Sequence, residues 1–390
     1  MKYSYKDVMV KPAILSTIEH RAECNPFDEN GKLPLFTAPM DSVVNVDNFE
    51  LFEKNGIIPI LPRTEPIDVR IAYAINGKWA AFSLQEFEQY FCTIDLMHQK
   101  DALKHKIRAL IDIANGHVAK LYDLVRRAKK ILGNDTIEIM VGNIANPETY
   151  RVCIESKVDY VRCSIGTGCC CTTGSNVSVG YPIASLISEI AEIKKEYIDR
   201  GVDKNVLPKI IADGGIRNYS DVIKALALGA DYVMCGSVFS KMIESAAYKI
   251  MNRTPFSNKK IQLRFPIERY ENLRIENGCW IGDYTDEFIE KLKSQGRNTD
   301  KYNRSLGDVY AKIYGMASKA GQIAMNGKKT HTSEGIEKCI PVEYTMAMWV
   351  ENMTDYLRSA MSYTNSRTLD ELREANVVLI SKNAQESINK

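Results

Sequence analysis

The sequence of 390 residues has little that would suit it to a membrane or to a polyanion. It contains no apolar run of the roughly 20 residues that are needed to cross a bilayer, and its first residues lack the apolar core of a secretory signal. The formal net charge is only +2, with 51 basic and 49 acidic side chains. Bulk electrostatic attraction to nucleic acid or to a membrane surface is therefore not indicated. These absences predict a soluble, cytoplasmic protein with neither nucleic acid nor membrane as a partner.

The ten cysteines do not have the spacing of a disulfide framework or of a zinc site. They are scattered along the chain, apart from one run at Cys169, Cys170 and Cys171. Because no secretory signal is present, we expect reduced thiols. Four cysteines lie in or beside apolar stretches and are predicted to be small core residues; these are Cys92, Cys153, Cys163 and Cys235.

Eight short apolar runs alternate with polar loops and amphipathic stretches. The candidate strands are 34–39, 56–61, 79–83, 107–113, 137–142, 160–165, 209–213 and 232–236. Their continuous apolar character is typical of strands buried on both faces of a parallel sheet. The helical periodicity between them is clearest at 118–132 and 183–198, and Asn218 and Ser220 are possible helix starts.

This alternation predicts an α/β fold, a (β/α)₈ TIM barrel, with a doubly wound open sheet as the alternative. Residues 253–310 break the pattern because they are polar and rich in lysine, asparagine and arginine. We interpret them as an insertion after strand 8, within a single catalytic domain of residues 1–390. Residues 341–362 are predicted to form a helix, and 370–374 one more helical turn.

The loops that follow the strands carry the unusual sequence, and in barrels such loops hold the reacting groups. After strand 6, Gly166 and Gly168 precede the three cysteines, which favours a sharp turn with an exposed, reactive thiol. A tight turn with incidental cysteines is the alternative. The loops after strands 7 and 8 contain Asp213 and the Gly236-Ser237 pair, and loops there commonly bind phosphate through backbone amides. Asp213 could bind ribose hydroxyls or simply cap a helix.

Nine short motifs occur in one order along the chain. They are Tyr5-Lys6-Asp7-Val8, Ala38-Pro39-Met40-Asp41-Ser42, Asp112-Ile113-Ala114-Asn115-Gly116, Gly142-Asn143, Gly166-Thr167-Gly168 with Cys171-Thr172-Thr173, Ala212-Asp213-Gly214-Gly215-Ile216, Gly236-Ser237, Tyr314-Gly315-Met316 and Ser333-Glu334-Gly335. Each motif is weak alone, but nine in one order are hard to obtain by chance. Together they resemble the inosine monophosphate dehydrogenase and guanosine monophosphate reductase family, from about residue 4 to about residue 365, leaving out 253–310.

The resemblance implies an oxidoreductase in which Cys171 attacks C2 of a purine nucleoside monophosphate and Asp213 binds the ribose. Its other implied substrate-binding residues are Gly215, Gly236, Ser237, Tyr314, Met316 and Gly335. Its implied cofactor-binding residues, with Asp112 beside the nicotinamide, are Asp112, Asn115, Gly116 and Gly166. The carbonyls of Gly166, Gly168 and Cys171 would bind a potassium ion, and the family implies a homotetramer.

The sequence also departs from the family's pattern near the phosphate. Cys169 stands where the family usually has a serine that binds phosphate, and Gly174 stands where an arginine is common. Ser240-Lys241 replaces a pair of glycines. The charge of Lys241 could compensate for these changes, or the lysine could simply be solvated.

Two features favour the reductase, which uses NADPH to convert GMP to IMP and ammonia, over the dehydrogenase, which oxidises IMP with NAD. Only 17 residues (317–333) separate Met316 from Glu334, and they contain neither the arginine nor the tyrosine of the dehydrogenase flap. Residues 63–78 are also too few for the regulatory CBS domain found after strand 2 in the family. In the reductase, Thr173 and Glu334 would protonate the departing ammonia. IMP dehydrogenase and a non-catalytic purine nucleotide sensor remain alternatives.

Overall fold

The computed structural model of the chain describes residues 1–93, 103–253, 261–264, 267–276, 279–297, 300–301, 304–329 and 332–388. Its largest sheet has eight parallel strands. They are β1 (Leu35–Thr37), β2 (Ile60–Leu61), β3 (Trp79–Phe82), β4 (Ile107–Asp112), β5 (Ile137–Ile144), β6 (Tyr160–Cys163), β7 (Lys209–Asp213) and β8 (Tyr232–Cys235). Each one overlaps a strand that the sequence predicts, and the order along the chain is the same.

The sheet closes into a barrel. Neighbouring strands pair in chain order from β2 to β8, and β8 then pairs with β1. Between β1 and β2 the contact is a single parallel bridge from Phe36 to Ile58, in which the amide of Thr37 donates to the carbonyl of Ile58 at 3.0 Å. The (β/α)₈ prediction is therefore confirmed, and the open-sheet alternative is wrong.

The barrel strands are buried on both faces, which explains their continuous apolar sequence. Inside the barrel, aromatic rings meet in a layer near the starts of the strands. Phe36 lies edge-on to Trp79 and to Tyr232, with ring centres 6.1 and 5.1 Å apart, and Tyr160 completes the layer. The outward side chains of the same strands pack against the surrounding helices in a larger core. The barrel is thus filled at its base, and its free ends are the loops.

Nine helices surround or extend the barrel in the described part of the chain. They are Phe49–Lys54, Ile67–Ile75, Leu84–Phe91, Ala119–Leu132, Thr149–Glu155, Ile183–Asp199, Tyr219–Ala227, Met346–Tyr363 and Leu369–Arg373. Shorter or more peripheral helices are Thr173–Val177, Ser237–Ser240, Asp286–Ser294, Lys319–Asn326 and Lys382–Ile388. Among the described residues, no helix combines the length and the apolar character that a membrane span requires.

Two details of the helix predictions need correction. Asn218 does start a helix, since its side chain accepts a hydrogen bond from the amide of Asp221 at 3.0 Å, whereas Ser220 lies inside the first turn. The helix expected from residue 341 begins instead at Met346, because Glu337–Pro341 is a strand and Thr345 caps the helix. In each case a local hydrogen bond sets the boundary, and periodicity alone does not locate it.

The segment after β8 forms two small antiparallel sheets. The first, in spatial order, consists of Ile261–Arg264, Tyr248–Arg253, Val309–Tyr314 and Glu337–Pro341. The second consists of Tyr270–Glu276, Cys279–Tyr284 and Arg304–Gly307. The first sheet therefore extends beyond both ends of residues 253–310. A second hydrophobic core, which includes Trp280, Val309 and Ile313, joins these strands to the buried Cys170 of the barrel. A two-stranded ribbon of Val8–Val10 and Val377–Leu379 brings segments near the two chain ends together.

Candidate active site

The ionisable and nucleophilic side chains of the candidate site lie at the carboxyl ends of the barrel strands. Asp112 is the last residue of β4 and Asp213 is the last residue of β7, while the loop with the three cysteines follows β6. Because parallel strands end on one face of a barrel, these residues from distant parts of the sequence meet there.

A chain of hydrogen bonds starts at the thiol of Cys171. The thiol donates to the hydroxyl of Thr173 at 3.3 Å, and that hydroxyl donates to Oε2 of Glu334 at 2.8 Å. The backbone supports the same arrangement, because the amide of Thr172 donates to the carbonyl of Glu334 at 3.0 Å. The structure thus brings the three predicted catalytic residues, Cys171, Thr173 and Glu334, into one hydrogen-bonded line across 161 positions of sequence.

Gly335 allows this close approach. Cys171 and Gly335 form an isolated antiparallel bridge, and a Cβ atom added at Gly335 would lie 3.0 Å from the carbonyl oxygen of Cys170 and from the amide of Ser318. A larger residue would push the loop of Glu334 away from the cysteines. The amide of Ile336 also donates to the carbonyl of Cys170 at 3.0 Å. Glycine at position 335 therefore lets the loop of Glu334 lie close to the cysteines without a shift of the backbone.

The three adjacent thiols have different surroundings. Cys170 is buried, Cys169 is exposed, and Cys171 is half-buried. The sulfur atoms of Cys169 and Cys170 lie 3.6 Å apart. The hydrogen bond from Cys170 lowers the pKa of Cys169, and the nearby Lys338 and Lys241 help, whereas burial opposes the effect. The same contact raises the pKa of Cys170. Among the hydrogen bonds of the described residues, the thiol of Cys171 is the one of the three that reaches Thr173 and, through it, Glu334.

A buried arginine joins two of the predicted binding residues. Arg162 of β6 donates from Nη1 to Oδ1 of Asp112 at 2.5 Å and from Nε to Oδ2 of Asp213 at 3.0 Å. Asn143 Nδ2 donates to the same Oδ2 atom at 2.6 Å. Asp213 does not cap a helix, because its carboxylate is held by these side chains. We did not predict Arg162 from the sequence, although a charged residue in the middle of an apolar strand was a signal.

The loops predicted to bind phosphate lie close to aromatic and sulfur atoms. A Cβ at Gly215 would lie 3.6 Å from the ring of Tyr5, and one at Gly236 would lie 3.6 Å from the sulfur of Met40. Ser237 begins a four-residue helix, so its backbone amide has no partner within that helix. Met316 is half-buried in the loop that follows Val309–Tyr314. A backbone amide without a partner at the start of a helix can donate to an anion.

Two side chains near these loops have partners that the sequence did not reveal. The hydroxyl of Tyr314 donates to Oδ2 of Asp41, a carboxyl group whose pKa is raised by burial. The ammonium of Lys241 contacts both oxygens of Glu343, at 2.8 and 2.9 Å. The ammonium of Lys241 is therefore already paired, and it would have to leave Glu343 in order to contact a phosphate directly. Tyr314 has to turn its hydroxyl proton away from Asp41 in order to bind a phosphate.

The predicted cofactor-binding loop is tightly constrained at its glycine. A Cβ at Gly116 would lie only 2.6 Å from the carbonyl oxygen of Asn143, so no other residue fits without a shift. The side chain of Asn115 accepts a hydrogen bond from the amide of His117 at 3.1 Å and holds the turn. The Asn-Gly pair thus shapes the loop that begins at Asp112.

The backbone carbonyls proposed for a cation lie in a compact turn. A Cβ at Gly166 would lie 3.0 Å from the amide nitrogen of Gly174, and the carbonyl of Gly168 accepts a hydrogen bond from the amide of Cys171 at 3.0 Å. A carbonyl oxygen has a second lone pair, so Gly168 can also contact a cation. Oxygen donors from Gly166, Gly168 and Cys171 have the chemistry that an alkali cation requires.

Comparison with known proteins identifies the relatives of this chain. Residues 2–260 match the model of the IMP dehydrogenase / GMP reductase domain. The chain is 27% identical over 299 residues to the inosine-5'-monophosphate dehydrogenase of Methanocaldococcus jannaschii. This alignment covers 75% of this chain and 50% of that protein. It is 25% identical over 407 aligned positions to the GMP reductase of Onchocerca volvulus. This alignment covers 99% of this chain and 93% of that protein. The chain spans about half the length of the dehydrogenases that it matches.

Proposed function

The chain belongs to the IMP dehydrogenase / GMP reductase family of oxidoreductases, and from that premise we propose that it reduces GMP with NADPH to give IMP and ammonia. The family acts on purine nucleoside monophosphates. The observation that carries the proposal is the hydrogen-bonded line from Cys171 through Thr173 to Glu334. Loss of ammonia from C2 needs a proton donor near that atom. The line places the Thr173 hydroxyl, backed by the Glu334 carboxyl group, beside the sulfur that would bond to C2.

The proposed reaction has two stages. The sulfur of Cys171 bonds to C2 of the purine, and the amino group leaves as ammonia after it takes up a proton through Thr173 and Glu334. This leaves a thioimidate, in which C2 is held by sulfur. Bound NADPH would supply the hydride for C2 and leave as NADP⁺. The C–S bond would then break with its electrons returning to the sulfur of Cys171, and IMP would be released. The same hydrogen-bonded line gives the thiol proton of Cys171 a route to the carboxylate of Glu334.

The residues around this line would hold the two substrates. Asp213 would bind the ribose, and the remaining nucleotide contacts would come from Gly215, Gly236, Ser237, Tyr314, Met316 and Gly335. NADPH would lie along Asp112, Asn115, Gly116 and Gly166, because the loop after β4 has a partly exposed carboxylate beside a narrow, glycine-lined turn. We further propose that the protein is a homotetramer and that residues 1–390 form a single catalytic barrel domain in which 253–310 is an insertion.

The segment between Met316 and Glu334 supports the reductase rather than the dehydrogenase. Its first part is the helix Lys319–Asn326, capped by Ser318, and its 17 residues contain no arginine or tyrosine that could activate water. Residues 63–78 between β2 and β3 form the helix Ile67–Ile75 and are too few for a CBS domain.

A pair of parallel assays tests the proposal. We expect absorbance of NADPH at its reduced-nicotinamide band to fall when GMP is added, with one ammonia released per NADPH consumed. The same preparation with IMP and NAD should give no reduced nicotinamide. Activity only with IMP and NAD would identify a dehydrogenase instead. Binding of purine nucleotides without turnover in either assay would identify a sensor.

Potassium should raise the rate of the reductase. Gly166, Gly168 and Cys171 belong to one short loop, and a cation bound by their carbonyls would fix the loop that carries the nucleophile. We expect a several-fold higher kcat in potassium chloride than in sodium or lithium chloride at the same ionic strength. Equal rates in the three salts, with unchanged affinity for GMP, would contradict this prediction.

A further inference from the structure

Arg162 connects the ends of two barrel strands through its guanidinium group. Its side chain is 8% exposed, and it contacts Asp112 on one side and Asp213 on the other at 2.5 and 2.9 Å. Burial would lower its pKa, but the two carboxylates raise it above the ordinary value. The arginine is therefore charged at every pH at which an enzyme assay is run, and it separates two acids that would otherwise repel each other.

Each carboxylate uses only one of its oxygen atoms in this contact. Oδ2 of Asp213 accepts from Nε and contacts Nη2 of Arg162, and it also accepts from Asn143. Oδ1 of Asp112 accepts from Nη1 of Arg162. Among the residues that the structure describes, none donates a hydrogen bond to Oδ1 of Asp213 or to Oδ2 of Asp112. Both carboxylates are partly exposed, so these two oxygen atoms are available to ligands.

A glycine on the neighbouring strand makes room for the arginine. Gly142 of β5 lies beside it, and a Cβ there would lie 2.5 Å from Cβ of Arg162 and 2.8 Å from its carbonyl oxygen. The backbone at Gly142 also has φ of 151°, a value that side chains rarely adopt. Replacing this glycine would displace the arginine, so the placement of Arg162 depends on glycine at position 142.

We propose that Arg162 is a positioning residue that fixes Asp213 toward the ribose of the nucleotide and Asp112 toward the nicotinamide, and so sets the geometry between the two substrates. This role rests on the proposed function, since it takes the ligands of the two acids from it. One planar guanidinium holds both acids, so displacement of either acid displaces the other. Hydride transfer depends steeply on the distance between donor and acceptor, and a small misplacement is costly.

The test compares Arg162→Lys with a matched control, Arg70→Lys. A lysine keeps the charge but cannot hold two carboxylates in the planar geometry of a guanidinium. We expect Arg162→Lys to lower kcat by about 10- to 100-fold and to raise KM for both GMP and NADPH. Asn143→Ala should raise KM for GMP alone, because Asn143 donates only to Asp213 in this cluster.

Arg70 is an equally buried arginine that pairs with Glu86 at 2.8 Å on the outer helices. Arg70→Lys should lower the melting temperature and leave both KM values unchanged. Unchanged KM values in Arg162→Lys, or the same kinetic changes in both variants, would overturn the proposed role.

If the wild-type protein does not turn over GMP with NADPH, the proposed function fails. The role of Arg162 is then decided by calorimetric affinities for GMP and NADPH, and equal affinities in wild type and Arg162→Lys would overturn it. A wild-type protein that binds neither nucleotide would overturn both proposals.

Discussion

Cys171→Ala should abolish turnover of GMP while the protein still binds the nucleotide. Alanine cannot form the bond to C2, and removal of a covalent nucleophile costs on the order of 10⁴-fold or more in kcat. The side chain is half-buried, and among the described residues its thiol donates only to Thr173, so the substitution should leave the fold intact. The measurement is steady-state NADPH oxidation with GMP, together with calorimetric binding of GMP.

The neighbouring cysteines provide the controls for this prediction. Cys169→Ser restores the residue type that the family usually has, and it should retain activity within a few-fold. Cys170→Ala removes a buried thiol that packs in the second core, so it should lower stability more than kcat. Full activity in Cys171→Ala, with loss in Cys170→Ala or Cys169→Ser, would show that the register of the nucleophile is wrong.

Chemical labelling alone cannot replace these variants. Cys169 is exposed, and its pKa is lowered by the hydrogen bond from Cys170, so it should react with iodoacetamide whether or not it takes part in catalysis. Protection by GMP would also be ambiguous, because both cysteines lie on the loop after β6. The kinetic variants separate the two thiols, because in the described part of the chain the thiol of Cys171, and not that of Cys169, is connected to Glu334 through Thr173.

The barrel could be predicted from the sequence because its signal is local. Eight apolar runs with helices between them indicate parallel strands, whatever the contacts of individual side chains. The insertion was harder to delimit. Its bounding strands, Tyr248–Arg253 and Val309–Tyr314, are paired with each other across more than 50 intervening residues, and no local pattern marks such a pair.

The candidate site was predictable only where loops carry recognisable motifs. The line from Cys171 to Glu334 follows from motif positions although it spans 161 residues, whereas no motif assigns Asp41 to Tyr314 or Glu343 to Lys241 as a partner. Arg162 was missed for another reason. It lies inside a strand, where side chains are expected to be core, and its partners lie at the ends of β4 and β7.

Glu334→Gln should lower kcat by a factor of roughly 100 or more, the usual scale for general acid–base catalysis. The amide of glutamine can still contact the hydroxyl of Thr173, but it cannot take up and release a proton. Binding of NADPH should be unaffected. The matched control is Glu337→Gln, because Glu337 lies on the neighbouring strand and pairs with Lys312 at 3.0 Å, outside the line from Cys171. That variant should keep kcat within a few-fold.

Thr173→Ala should give a loss similar to that of Glu334→Gln, since it removes the hydroxyl that links the carboxylate to the leaving group. The double variant should lose little more than either single variant, because residues that act as one unit are not additive. The three kcat values with saturating GMP and NADPH form a double-mutant cycle. Losses that multiply would mean that Thr173 and Glu334 act independently. A rate in Glu334→Gln close to wild type would rule out a proton relay, and the 2.8 Å contact would then serve only to hold the loop of Glu334 against the cysteines.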